Sequence, residues 1–138
     1  MIGRMQGLHL TADLHGCLPG GRAHAAMTDR AALRELCLAA VQRSGLAPVG
    51  ELFHRFEPAG PGEPAGVTGV VLLAESHLAV HTWPELGAVT LDVYVCNFGA
   101  DNSARARALL AALEQAFAPA QAERHEIARG ARRPIAPA

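Results

Sequence analysis

The side chains best equipped for chemistry crowd into one stretch, from Thr68 to Cys96. It holds Glu75, Ser76, His77, His81, Trp83, Glu85, Asp92, Tyr94 and Cys96. Three readings compete. A serine with histidines nearby suggests a hydrolase nucleophile and its base, yet no GxSxG elbow is present and nothing around Ser76 reads as a strand-to-helix turn. His77 and His81 suggest metal ligation, with His15 and Cys17 as further donors. HxxxH brings two rings to one face of a helix, but this segment alternates like a strand. There the two rings stand about 13 Å apart and cannot share one ion. The third reading is a set of polar residues satisfied on a half-buried sheet. The residues alone leave the choice open.

The elements that must position these groups follow from periodicity. Gly7 to Leu14 alternates Leu8, Leu10, Ala12 and Leu14 against His9, Thr11 and Asp13, the pattern of a half-buried strand. Gly and Pro between Gly16 and Arg22 interrupt it. Thr28 is placed to cap a helix over Asp29 to Ser44, with Leu33, Leu36, Cys37, Ala40 and Val41 on one stripe and Gly45 as the stop. Ala47 to Phe56 reads as a second strand, and Glu57 to Gly66, rich in Pro and Gly, as a loop. Val67 to Ala74 is an apolar run of strand length. Leu78 to Trp83 alternates, Pro84 to Gly87 turns, and Ala88 to Cys96 puts Val89, Leu91, Val93 and Val95 on one face. Asp101-Asn102-Ser103 then caps a helix through about Phe117, striped by Ala106, Leu109, Leu110 and Leu113. A last strand runs from Gln121 to Ala128.

Two helices cannot cover both faces of a sheet of about six strands. The expected fold is therefore α+β, a two-layer sandwich of a mostly antiparallel sheet with both helices on one face. Helices followed by strands at similar spacings in the two halves hint at internal duplication. The uncovered face must be polar or buried against another subunit, and its hydrophobic content favours the second.

With 138 residues, half of them hydrophobic, the chain fits one domain over 1–130, followed by a flexible tail at 131–138. A net charge of -1 with scattered acids and bases excludes a nucleic-acid surface. The basic tail around Arg129, Arg132 and Arg133 reads as a solvated end. No apolar run reaches the roughly 18 residues of a membrane span, and Met1 to Leu10 does not pass for a secretion signal. A cytoplasmic protein is the expectation. The three cysteines, Cys17, Cys37 and Cys96, form no CxxC pair and no disulfide framework, which suits a reducing compartment.

The segments Phe53-His54-Arg55-Phe56, Gly66-Val67-Thr68-Gly69-Val70-Val71 and Glu75-Ser76-His77-Leu78-Ala79-Val80-His81-Thr82-Trp83-Pro84-Glu85 together resemble the prokaryotic S-adenosylmethionine decarboxylase family. The last string is close to that family's ESHxxxHTWPE signature. Asp92 and Cys96 follow at the matching distance, Gly7-Leu8-His9-Leu10 resembles the opening strand, and the likeness runs from about Gly3 to Gly130.

The resemblance implies an enzyme that makes its own electrophile, a covalent pyruvoyl group, in place of pyridoxal phosphate. Such a carbonyl forms a Schiff base with the substrate amine and draws electrons as carbon dioxide leaves. Ser76 is its precursor: the hydroxyl attacks the Glu75 carbonyl, the ester undergoes β-elimination, and the dehydroalanine hydrolyses to pyruvoyl and ammonia. The products are a β chain, 1–75, and an α chain, 76–138. His81 falls on the processing base and Thr68 on a serine that assists processing. Cys96 falls on the proton donor to the substrate carbon. Phe56 aligns with an aromatic that stacks on adenine, and Glu85 with a carboxylate for the ribose hydroxyls. A strained link at Glu75-Ser76 is expected, and so is a homodimer of αβ units with sites near the interface.

Three features depart from the family pattern: the longer loop from Glu57 to Gly66, Leu86 in place of an aromatic, and Asn97-Phe98 where a glycine is usual. All are expected beside the substrate pocket. They leave arginine or ornithine as alternative substrates on the same scaffold, and a non-cleaving regulatory homologue as a rival of another class.

Overall fold

A computed structural model of the chain describes residues 6–17 and 25–130. Its backbone is set by strand alternation. β1 (Gly7–His15) buries Leu10, Ala12 and Leu14 on one face and turns His9, Thr11 and Asp13 to the other. β2 (Pro48–Arg55), β3 (Val67–Leu73), β4 (Ser76–Trp83), β5 (Ala88–Cys96) and β6 (Gln121–Arg129) complete one sheet in the order β2-β3-β4-β5-β1-β6. Every neighbouring pair is antiparallel.

Two helices, α1 (Arg30–Ser44) and α2 (Ser103–Phe117), pack side by side on the same face. Leu33, Cys37 and Val41 of α1 and Ala106, Leu109 and Leu113 of α2 meet Leu10, Leu14, Leu78, Val80, Leu91 and Val93 of the sheet. Each such Leu or Val, taken wholly out of water, contributes about 1.5–3 kcal/mol. The expected α+β two-layer sandwich is the fold observed.

The helix starts differ from expectation in detail. Asp29, rather than Thr28, caps α1: its carboxylate accepts from the backbone N–H groups of Ala31 (2.9 Å) and Ala32 (3.2 Å). Thr28 is occupied in the turn that closes a short 3-10 helix, Ala25–Met27, with its N–H donating to the Ala25 carbonyl. α1 ends at Gly45, whose φ of 86° is the left-handed stop. Before α2, the Asp101 carboxylate accepts from the Ser103 N–H at 2.9 Å, and the Asn102 side chain makes no capping bond.

Two further boundaries moved. β4 begins at Ser76, because the ladder continues through Leu72↔His77 and Leu73↔Ser76 beyond the alternation that pointed to Leu78. β6 extends to Arg129, which stays exposed but ends a strand: it pairs with Gly7, and its guanidinium lies 5.6 Å over the Tyr94 ring. Arg132, Arg133 and the tail at 131–138 lie outside the described residues.

Each helix leaves one of two adjacent central strands and leads to an opposite edge of the sheet, β1–α1–β2 on one side and β5–α2–β6 on the other. The two connections are not equivalent, since β1–α1–β2 crosses three strands and β5–α2–β6 crosses one. The face away from the helices carries Leu52, Leu72, Trp83 and Ile127, each 45% exposed or more, among His9, His77, His81, Asp92 and Tyr94. No helix among the described residues is long and apolar enough to cross a membrane.

Candidate active site

The β3–β4 hairpin turns on two residues, Ala74 and Glu75, because Leu73 pairs with Ser76. Turns this tight favour Gly, Asn or Asp at the left-handed positions. Here Glu75 takes that conformation, with φ of 66°. A left-handed L-residue with a long side chain carries strain of about 1–2 kcal/mol, and here that residue is the one before Ser76. The serine hydroxyl is half-buried and accepts from the Cys96 N–H at 3.2 Å. That donor orients the hydroxyl and favours negative charge developing on its oxygen. Ser76, Glu75 and Cys96 are thus brought together, with the Cys96 side chain on the open-face parity of β5.

A second group forms at the other end of β4. Thr68 and His81 are direct partners across β3 and β4, and the Thr68 hydroxyl is hydrogen-bonded to His81 Nδ1 at 2.6 Å. When Nδ1–H donates to Thr68, Nε2 is left free to accept a proton, as a base requires. Next to this pair lies a cleft of about 690 Å³, whose lining includes Phe56, Val67, His81, Trp83 and Glu85 together with Glu57 and Glu63 of the 57–66 loop. Phe56 and Glu85 therefore share one pocket, as their expected roles demand. Thr82 supports it from below. Its hydroxyl accepts from the Val67 N–H at 2.8 Å and donates to the Met27 carbonyl at 2.6 Å.

The two groups are not brought together within one chain. Ser76 and His81 stand five residues apart on one strand, about 17 Å at the usual rise, and with opposite parity. Of the departures expected beside the pocket, only the 57–66 loop lines the cleft. Leu86 is exposed and outside it. Asn97 turns instead to the start of α2, its amide donating to Ser103 Oγ (3.1 Å) and its carbonyl accepting from the Asn102 N–H (2.8 Å).

Sequence reasoning singled out His77, Asp92 and Tyr94 but did not join them with His9 into the cluster that forms on the open face beside Ser76. His77 packs on Tyr94 at 5.7 Å between ring centroids, and Tyr94 meets His9 edge-on at 6.1 Å. His9 Nε2 is bonded to Asp92 at 3.1 Å. The pairing His77↔Tyr94↔His9 across three strands was the signal, but it needs the register to be known. Gly7 makes room for it: a Cβ there would come 2.8 Å from the Tyr94 hydroxyl.

Among the described residues no three His, Cys, Asp or Glu side chains gather closely enough to hold a metal ion. Asp13 and His15 lie on the far end of β1, two strands from His81. Cys37 is enclosed between α1 and the core, and burial pushes its thiol up to about 12. Burial also raises the Cys17 thiol.

Comparison with known proteins fits this arrangement. The family model described as S-adenosylmethionine decarboxylase matches residues 8–130. The chain belongs to the S-adenosylmethionine decarboxylase family. It is 44% identical over 91 residues to an S-adenosylmethionine decarboxylase proenzyme of Aquifex aeolicus, covering 65% of this chain and 58% of that one. A proenzyme of the same name from Prochlorococcus marinus is 42% identical over 92 residues, 67% of this chain and 65% of its own length. The matched region thus spans less than two thirds of these curated relatives. The crystal structure of the Aquifex aeolicus adenosylmethionine decarboxylase superposes with a TM-score of 0.75 at 31% identity, covering 99% of this chain and 100% of that one.

Proposed function

We propose that this chain is a self-processing, pyruvoyl-dependent decarboxylase of S-adenosylmethionine, supplying an aminopropyl donor for polyamine synthesis. The observation that carries this reading is the left-handed Glu75 immediately before a hydroxyl held by the Cys96 N–H. In the proposed processing, Ser76 Oγ bonds to the Glu75 carbonyl carbon and the peptide C–N bond breaks, leaving an ester and a free amine. A base then removes the Ser76 Cα proton, and elimination releases the Glu75 carboxylate. Water converts the remaining dehydroalanine to a pyruvoyl group with loss of ammonia. That carbonyl supplies the electron sink for loss of carbon dioxide. Cys96, beside position 76, is the proposed proton donor to the product carbon.

His81 is the proposed processing base with Thr68 as its tautomer-setting partner, while Phe56 and Glu85 hold the nucleoside. The 17 Å between Ser76 and His81 in one chain favours a homodimer that stacks the two open sheet faces. Opposed strand directions in such a pair bring the Ser76 end of β4, with the open-face Cys96 side chain beside it, over the Thr68–His81 end of the other protomer. The exposed Leu52, Leu72, Trp83 and Ile127 suit that burial.

A feature of this sequence makes the test unusually clean: its 138 residues include no lysine. After self-processing, the fragment beginning at position 76 has neither a side-chain amine nor a terminal one. On denaturing electrophoresis the wild type should run as two bands, of which an amine-reactive dye stains only the fragment ending at Glu75. Ser76→Ala should leave one full-length band. A stained second fragment means ordinary hydrolysis, and an uncleaved wild type means a non-enzymatic homologue; either result ends the reading. Release of labelled carbon dioxide from S-adenosylmethionine, against arginine and ornithine on the same preparation, tests the substrate.

A further inference from the structure

The cleft beside His81 is lined by the aromatic side chains of Phe56 and Trp83 and by residues of the 57–66 loop. The turn from Gly60 to Glu63, closed by the Glu63 N–H donating to the Gly60 carbonyl at 3.1 Å, carries Glu63 to the cleft. Glu57 enters from the start of the loop and Glu85 from the turn after β4. Three carboxylates therefore line the cleft, and among the described residues its lining includes no Arg and has His81 as its one titratable nitrogen. None of the three takes part in an ion pair among the described residues. Carboxylates grouped around aromatic faces favour a cation over a neutral ligand of the same shape, by Coulomb attraction and by the ring quadrupoles together.

We propose that Glu57 and Glu63 are specificity-determining residues, which make the cleft select a sulfonium over the corresponding neutral thioether. The inference rests on the reading of this cleft as the nucleoside pocket, and it deepens that reading by assigning a role to the loop. S-adenosylmethionine loses its carboxylate in the reaction and commits its amine to the carbonyl, so the sulfonium is the charge left for the pocket to read. Both loop carboxylates are exposed, so each contributes at the level of a solvent-facing ion pair, up to a few-fold in affinity. The pair together should give roughly three- to tenfold.

The test uses two nucleosides that cannot react with the carbonyl: 5′-methylthioadenosine and its S-methylated sulfonium, which differ by one methyl group and one charge. Their dissociation constants are measured by calorimetry on the full chain, for wild type, Glu57→Gln, Glu63→Gln and the double variant. The wild type should prefer the sulfonium, and the double variant should lose roughly three- to tenfold of that preference while thioether affinity stays within about twofold. Raising salt from about 0.05 to 0.5 M on the wild type should erode the same preference without any substitution. An unchanged ratio in the double variant, no wild-type preference, or no binding of either nucleoside overturns the inference. Because neither ligand turns over, this outcome is separate from the decarboxylase reading, which stands or falls on two bands and carbon dioxide release.

Discussion

If the left-handed Glu75 helps to drive cleavage, relieving it should slow the reaction. Glycine occupies φ near 66° at no steric cost, whereas an L-residue there bears roughly 1–2 kcal/mol. Strain held in the intact turn and released as the peptide bond rearranges lowers the barrier by up to that amount. Glu75→Gly should therefore process about 5- to 30-fold more slowly than wild type, taking tenfold per 1.4 kcal/mol. Glu75→Asn, which tolerates the left-handed region better than Glu, should fall between the two. Glu75→Ala separates backbone from side chain: it keeps the strain and removes the carboxylate, so it should process within about twofold of wild type. The assay is a time course of the full-length band after synthesis in a cell-free system, quenched in denaturant. A Gly variant that cleaves as fast as wild type refutes the argument. So does an Ala variant slowed as much as Gly, because the carboxylate would then be responsible.

Two further outcomes follow from packing and burial. A Cβ at Gly69 would lie 2.2 Å from the Phe53 ring across the β2–β3 ladder, so Gly69→Ala must displace that ring and should cost about 1–3 kcal/mol, read as a lower denaturation midpoint with the two-band pattern retained. Cys37 ionises near 9.0 when exposed and at about 12 when folded, so its contribution to stability is complete below pH 9 and is lost as pH rises through that window. Cys37→Ala should flatten the decline of stability between pH 9 and 12; an identical slope in wild type and variant would contradict the burial argument.

Much of this architecture is legible in the sequence because the strands are amphipathic. Leu10, Ala12 and Leu14 point one way in β1, and Val89, Leu91, Val93 and Val95 in β5, so local alternation suffices to orient both. The start of β4 is not legible in this way: Ser76 and His77 are polar, and only the ladder to Leu73 and Leu72 makes them strand. The α1 cap is ambiguous by one residue because Thr28 and Asp29 both have capping side chains, and the choice depends on the turn that Thr28 already closes. For the site, Ser76, His81 and Cys96 stand out by type and spacing. Their division into two groups about 17 Å apart does not, because sequence separation carries no face and no distance until the strand register is fixed. The His77–Tyr94–His9 row is hidden for the same reason: its members are 17 and 85 positions apart and meet only through β5.

The sheet order has a consequence if the chain cuts itself as proposed. The fragment ending at Glu75 contributes β1, β2 and β3, and the fragment beginning at Ser76 contributes β4, β5 and β6. In space, β1 is clasped between β5 and β6, while β3 pairs with β4. The two fragments are therefore interlaced and cannot part without dismantling the sheet. The intact chain brings its strands together in a unimolecular search, whereas the cut protein, once denatured, must find its other half by collision. Its refolding becomes second order in concentration. Self-cleavage would make this a molecule that folds first as one chain and can regain its native state afterwards only as two.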